Sequence, residues 1–216
     1  MKVISNTAVS LDGRINTREG GFTLLGSAQD HARMSALRAQ ADAVLVGGAT
    51  FRNWPHPALP DPPDRAQLVG RPWNVVVSRS MQLPLDSDFL REPGIRPLFL
   101  TGSGHAVPGL DAEVECYDGI GPDLPISWIL AVLRRRGVQR LLVEAGGELL
   151  FQFLAADALD EMHVTLCPLV IGGPAASLAG GAGFDLSTLR RLSLLSVERE
   201  GDELFLHYRV RRGVSE

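Results

Sequence analysis

Residues 139–153 read Gln-Arg-Leu-Leu-Val-Glu-Ala-Gly-Gly-Glu-Leu-Leu-Phe-Gln-Phe and set one carboxylate, Glu144, just ahead of a glycine pair, Gly146-Gly147. Leu141, Leu142 and Val143 are continuously apolar, the pattern of a strand covered on both faces. Leu149, Leu150, Phe153 and Leu154 follow at helical spacing. A helix starting at the glycines turns unpaired N–H groups and its positive dipole end toward whatever lies above the strand, which favours phosphate. Glycine there permits a tight turn and a close approach to a ligand. An ordinary strand-to-helix turn uses glycine as well, and a short glycine motif alone does not separate the two.

Three more small-residue turns each follow an apolar run: Ser10-Leu11-Asp12-Gly13, Gly47-Gly48-Ala49-Thr50 and Thr101-Gly102-Ser103-Gly104. In a parallel sheet such turns gather at the carboxyl ends of the strands, where ligands of α/β proteins bind. Together they suit a long polyanion such as a dinucleotide. None is a G-x-G-x-x-G fingerprint. Val77 is followed by Ser78-Arg79-Ser80 rather than by an acid for the ribose, which suits a 2′-phosphate and favours NADPH over NADH. A plain surface turn with one arginine accounts for the same residues. His56 and His105, in loops, are candidates for proton transfer, whereas His163 and His207 fall in strand patterns and read as structural. No G-x-S-x-G, H-E-x-x-H or Cys/His cluster is present, so neither a hydrolase nor a metal site is expected.

The elements that must position these residues follow from the pattern. Strand-like runs at Val3-Ile4, Ala43–Val46, Trp73–Val77, Pro97–Leu100, Leu141–Val143, Glu161–Leu166 and Glu203–Val210 alternate with helical ones, the signature of an α/β sheet. Helices are expected from Ser27 as N-cap to Ala39, from Pro125 to Arg136 with Gly137 as C-cap, and from the glycine pair onward. After Asp160 the strands have no helix between them, so an otherwise parallel sheet, with helices on both faces, gains antiparallel edge strands. The proline-rich stretch Asn53–Pro72 is expected to be a functional loop.

With 216 residues, 45% hydrophobic and 21% charged, the chain reads as one domain, 1–216. Its apolar runs are strand-sized, so no membrane span is expected. The N-terminus enters a strand pattern without a signal-peptide core, which points to the cytoplasm. A formal net charge of −4 with scattered arginines argues against nucleic acid. Arg134-Arg135-Arg136 at a helix end reads as structural. Cys116 and Cys167 read as buried small hydrophobes.

Four segments, in order, resemble the reductase domain of the riboflavin-pathway deaminase/reductase, within the dihydrofolate reductase-like superfamily: Ser5–Ile15, Leu37–Thr50, Val143–Leu149 with Leu159–Glu161, and Pro168–Gly173. The resemblance spans nearly the whole chain. It implies a dihydrofolate reductase-like fold, a homodimer, and NADPH-dependent reduction of a ribosylamino-pyrimidine 5′-phosphate to its ribitylamino form. It further implies that Ala8, Thr50 and the loop Gly146 to Leu150, with Gly147, Glu148 and Leu149 in it, hold NADPH, with Ser78 or Arg79 near its adenosine phosphate; Gly47, in the turn that carries Thr50, is a cofactor candidate beside them. Phe22, Arg38 and Glu144 would face the substrate, Arg38 through its bidentate fork.

One departure stands out. Where the family carries Asp-Asp-Pro-x-Leu, this chain has Asn53-Trp54-Pro55-His56-Pro57-Ala58-Leu59, which keeps Pro-x-Leu and loses both acids. His56 is therefore the candidate replacement beside Glu144 in catalysis, and Trp54 offers a flat ring to the substrate. A related reductase of a pterin, folate or other heterocycle, or a nucleotide-binding protein without turnover, also fits these residues.

Overall fold

The computed structural model describes residues 1–20, 25–102, 109–119 and 124–212. Nine strands hydrogen-bond in the order β5-β4-β3-β2-β6-β1-β7-β9-β8, and the chain divides into two compact units, Met1 with Ser35–Leu142, and Lys2–Met34 with Val143–Glu216. The chain runs β1 (Lys2–Ser10), α1 (Ala28–Ala39), β2 (Ala43–Gly47), α2 (Gly48–Asn53), α3 (Pro62–Arg65), β3 (Trp73–Val77), α4 (Asp88–Arg91), β4 (Arg96–Gly102), β5 (Glu113–Tyr117), α5 (Ile126–Arg135), β6 (Arg140–Val143), α6 (Gly147–Ala155), β7 (Glu161–Cys167), β8 (Leu192–Glu200) and β9 (Glu203–Val210).

In the first unit β2, β3, β4 and β5 pair in parallel, with Gly47 opposite Val77 and Val77 opposite Leu100. Side chains alternate across the strands, so each face acquires its own cover. Val76 and Phe99 join Phe51 of α2, Phe89 of α4, Leu59, Met81 and Ile95 in one core cluster. The three phenyl rings meet edge to face, Phe51–Phe89 at 4.8 Å and Phe89–Phe99 at 5.8 Å between centroids, the geometry that aromatic quadrupoles favour. On the opposite face Arg136, just past α5, bonds Glu113 and Glu115 of β5 and lies 5.5 Å from the Trp73 ring. This interior is what fixes the ends of β2 and β3.

The second unit pairs β1 with β7 in parallel, β7 with β9 antiparallel, and β9 with β8 antiparallel, with a register shift between Leu194 and Ser196. Helices α1, α5 and α6 lie within a residue or two of their expected bounds, and Gly137 takes φ +80° at the end of α5, where an L side chain is strained.

Several expectations need correction. β1 is nine residues long, Lys2–Ser10, so it runs well past the expected Val3-Ile4 and takes in Ser10, the first residue of the expected turn. β5 carries charge at alternate positions, Glu-Val-Glu-Cys-Tyr, and the apolar-run criterion passes over it. It is an edge strand, and Cys116 within it is exposed rather than buried. The edge among the late strands is β8 and not the Glu161–Leu166 segment, which is paired on both sides. The proline-rich stretch contains the short helix α3 where only loop was expected, and it is held in place: Ala58 donates to Asn74 Oδ1 at 2.6 Å, Asp61 donates to Ser35 Oγ at 2.8 Å, and Ser35 donates to Asp64 at 2.5 Å.

Candidate active-site residues

The first unit brings Gly47, Thr50, Ser78 and Arg79 to one carboxyl edge of its parallel strands. β2 ends at Gly47, and α2 begins at Gly48 without a side-chain cap, so its dipole end is left to favour an anion. Gly48 is required by its neighbour: a Cβ there would sit 3.1 Å from Ser78 Cβ and Oγ. Ser78 is accordingly buried, whereas Arg79 is exposed and its carbonyl accepts from Thr101 Oγ1. An exposed guanidinium at the end of β3 suits an anion.

Arg38 is half-buried on α1 and donates to the Leu59 carbonyl at 3.2 Å, so the proposed substrate clamp is held by the retained Pro-x-Leu segment. Trp54 caps the end of α2 and is 43% exposed. Its ring lies 4.3 Å from that of His56, whose Nδ1 is 3.6 Å from Asp88 Oδ2. His56 therefore has a carboxylate and an indole beside it, which orient the imidazole but draw it toward α4. His105 and Phe22 lie outside the described residues.

In the second unit Glu144 follows β6 directly, half-buried, and Gly146 and Gly147 open α6. The structure gives Gly147 a reason that the sequence does not reveal. A Cβ on it would run into the carbonyl of Ser177 and lie 2.9 Å from the Gly180 nitrogen, so the close approach is to the chain's own loop. That loop is latched by Gly180 N–H to the Gly147 carbonyl and by Gly181 N–H to Glu148 Oε1, both 3.0 Å. Leu149 is half-buried on the same helix turn.

The turn after β1 is also self-satisfied. Leu11 N–H donates to the Leu169 carbonyl, Gly13 N–H to the Ser10 carbonyl and Arg14 N–H to Ser10 Oγ. Asp12 accepts from Ile171 and Gly172 N–H at 3.0 and 2.7 Å, and those bonds, the Ile171 one foremost, hold its carboxyl down at about 2. This turn ties β1 to the 169–172 segment.

The most polar interior of this unit was not legible. Ala8 lies opposite Thr165 in the β1–β7 register, and Thr165 Oγ1 donates to Asp30 Oδ1 at 2.5 Å. Buried Glu203 accepts from Ser27 N–H at 2.8 Å and Ser27 Oγ–H at 2.5 Å. Burial raises the Asp30 pKa, with the negative charges of Glu203 and Glu144 acting in the same direction and the Thr165 bond opposing them. Burial, with Glu203 and Asp30 nearby, pushes the Cys167 thiol up to about 12, which keeps it unreactive. The only sequence signal for Asp30 is the Ser27-x-x-Asp30 spacing of a capping box, and it points to helix electrostatics. Instead, Asp30 hydrogen-bonds the Thr165 hydroxyl, and Gln29 N–H takes the cap bond to Ser27 Oγ at 3.2 Å.

A family model described as the RibD C-terminal domain matches residues 1–206. This chain belongs to that family. Across 97% of its length it is 29% identical to the 2,5-diamino-6-ribosylamino-4(3H)-pyrimidinone 5′-phosphate reductase of Methanothermobacter thermautotrophicus, covering 98% of that protein. The reductase of the same name from Archaeoglobus fulgidus is 26% identical, with 97% and 98% of the two chains covered. Among solved structures, a pyrimidine reductase-like protein from Corynebacterium diphtheriae shares the fold with a TM-score of 0.83 at 21% identity, over 98% of this chain and 92% of that one. The sheet expected from the sequence, mostly parallel with antiparallel strands at one edge, is the one observed, and the solved reductase-like protein shares this fold. No helix among the described residues is long and apolar enough to cross a membrane.

Proposed function

We propose that this chain is an NADPH-dependent reductase of riboflavin biosynthesis, acting on a 5-amino-6-(5-phosphoribosylamino)uracil-type pyrimidine or its 2,5-diaminopyrimidinone counterpart. The observation that carries the reading is the end-to-end match with the two archaeal reductases, which takes in 97% of this chain and 98% of each of theirs. When bound, NADPH would supply a hydride to the sugar carbon of the substrate's open imine form, so that C=N becomes C–N as nitrogen takes up a proton, with NADP⁺ as the oxidised product.

In the first unit we assign Gly47, Thr50, Ser78 and Arg79 to the cofactor, with Arg79 on the adenosine phosphate, and Arg38 and Trp54 to the substrate. In the second unit we assign Ala8 and Gly146–Leu149 to the cofactor and Glu144 to the substrate. Glu144 and His56 are the candidate proton-handling groups, and Phe22 stays with the substrate on the strength of the motif. The chain mainly orients its reactants, which can remove several kcal/mol from the barrier, on the order of 7–11 in well-aligned cases.

The exposed Trp54 ring and the missing acids favour a second reading, reduction of a pterin, folate or other flat heterocycle. Initial rates of nicotinamide oxidation separate the two. The first reading expects turnover with the ribosylamino-pyrimidine phosphate and none with dihydrofolate or dihydropterin, and the reverse pattern overturns it. We also propose a homodimer. Leu192, Leu194, Leu195 and Val197 are exposed on edge strand β8, a surface that natural sheets cover. Light scattering that gives the monomer mass at micromolar protein would remove this assignment.

A further inference from the structure

β7 and β9 place His163 directly opposite His207, and Glu161, two residues before His163, projects from the same face because side chains alternate along a strand. The imidazole rings stack with centroids 4.1 Å apart and planes 16° apart, and Glu161 Oε2 lies 3.0 Å from His207 Nε2. One donor atom from each of the three falls within 4.8 Å of the others, and all three side chains are half-buried. Two imidazole nitrogens and one carboxylate oxygen are the donor set of zinc and of other first-row divalent ions. Donors on one tetrahedral ion at about 2.0–2.1 Å stand roughly 3.4 Å apart, so the 3.0 Å Glu161–His207 pair already fits, and the wider separations, within 4.8 Å, close when the imidazoles turn out of their stack while the paired strands hold the backbone still. Lys2 Nζ also lies on Glu161 Oε2, at 2.9 Å. That ammonium occupies the place of a cation, and its side chain is 44% exposed and able to swing out.

We infer that Glu161, His163 and His207 form a site for a divalent transition-metal ion of the zinc class, with water completing the coordination. The site lies two residues along β7 from Thr165 and on the same face, so a bound ion would brace the strand that carries the Thr165–Asp30 bond. The assignment does not rest on the reductase reading.

The test uses Zn²⁺ itself. The full chain, stripped with chelator, is titrated calorimetrically with Zn²⁺, and Co²⁺ absorption reports ligand geometry. The expected result is one equivalent bound, with affinity falling on the order of 100-fold in His163→Gln or His207→Gln and unchanged in His56→Gln. Because a histidine variant in a sheet can lose its fold, Lys2→Ala is the second arm. Removing the competing ammonium should tighten Zn²⁺ binding roughly 10-fold, the change expected when a like charge leaves a site. Absence of saturable binding, equal affinity in the histidine variants that stay folded, or no gain in Lys2→Ala overturns the assignment. Catalytic rate enters none of these readouts, so they stand apart from any failure of the reductase reading.

Discussion

Replacing Gly147 with alanine sets two effects of known sign against each other. In a helix, alanine gains roughly 0.5–1 kcal/mol over glycine. Here the added methyl would meet the Ser177 carbonyl and the Gly180 nitrogen. Both are backbone atoms, so no side-chain rotation relieves the clash, and overpacking of this kind costs about 1–3 kcal/mol. The loop can retreat only by giving up the Gly180–Gly147 and Gly181–Glu148 hydrogen bonds, at about 1 kcal/mol each. The clash wins, with a net loss of about 2 kcal/mol, which for a chain of this size lowers Tm by about 4–8 °C. Urea and thermal unfolding followed by circular dichroism measure it. A variant as stable as the parent, or more so, would refute the argument that the glycine serves the chain's own loop.

Arg79→Ser should raise KM for NADPH on the order of 10- to 100-fold while leaving NADH nearly unaffected, as loss of a charged hydrogen bond predicts. Equal effects on both cofactors would move the phosphate elsewhere. Glu144→Gln should lower kcat by about 100-fold or more with an unchanged circular dichroism spectrum; retained turnover would remove Glu144 from the chemistry. Asp30→Asn tests the half-buried carboxyl. The folded pKa lies above the ordinary value, so the stabilisation attached to the proton is complete below that ordinary value and is lost as pH rises through the raised one. Relative to the variant, the wild type should therefore lose stability between acidic and neutral pH, and urea midpoints whose difference is constant across that window would contradict the assignment.

The parallel sheet and its antiparallel end were legible because Val44–Val46 and Val75–Val77 are continuous apolar runs, whereas Asp160 onward lacks an intervening helical period. β5 was not, because an edge strand with glutamates on one face lacks the apolar signal. The helices α2, α3 and α4, of four to six residues, are too short to show a period at all. Of the residues proposed for the cofactor, Gly47, Thr50 and Arg79 were visible from turn chemistry after strands. The Asp30–Thr165 pair and the Glu203–Ser27 pair were not, since each joins residues more than a hundred positions apart and only folding makes them neighbours. Gly147 was marked as special for a ligand's sake, and the loop that actually presses on it lies some thirty residues later.

The most direct test of the reductase account is a single turnover with NADPH deuterated at the transferable position, followed by mass analysis of the pyrimidine product. The account predicts a ribityl product carrying one deuterium at the former anomeric carbon. Unchanged substrate, or deuterium in the ring of the heterocycle instead, would contradict it.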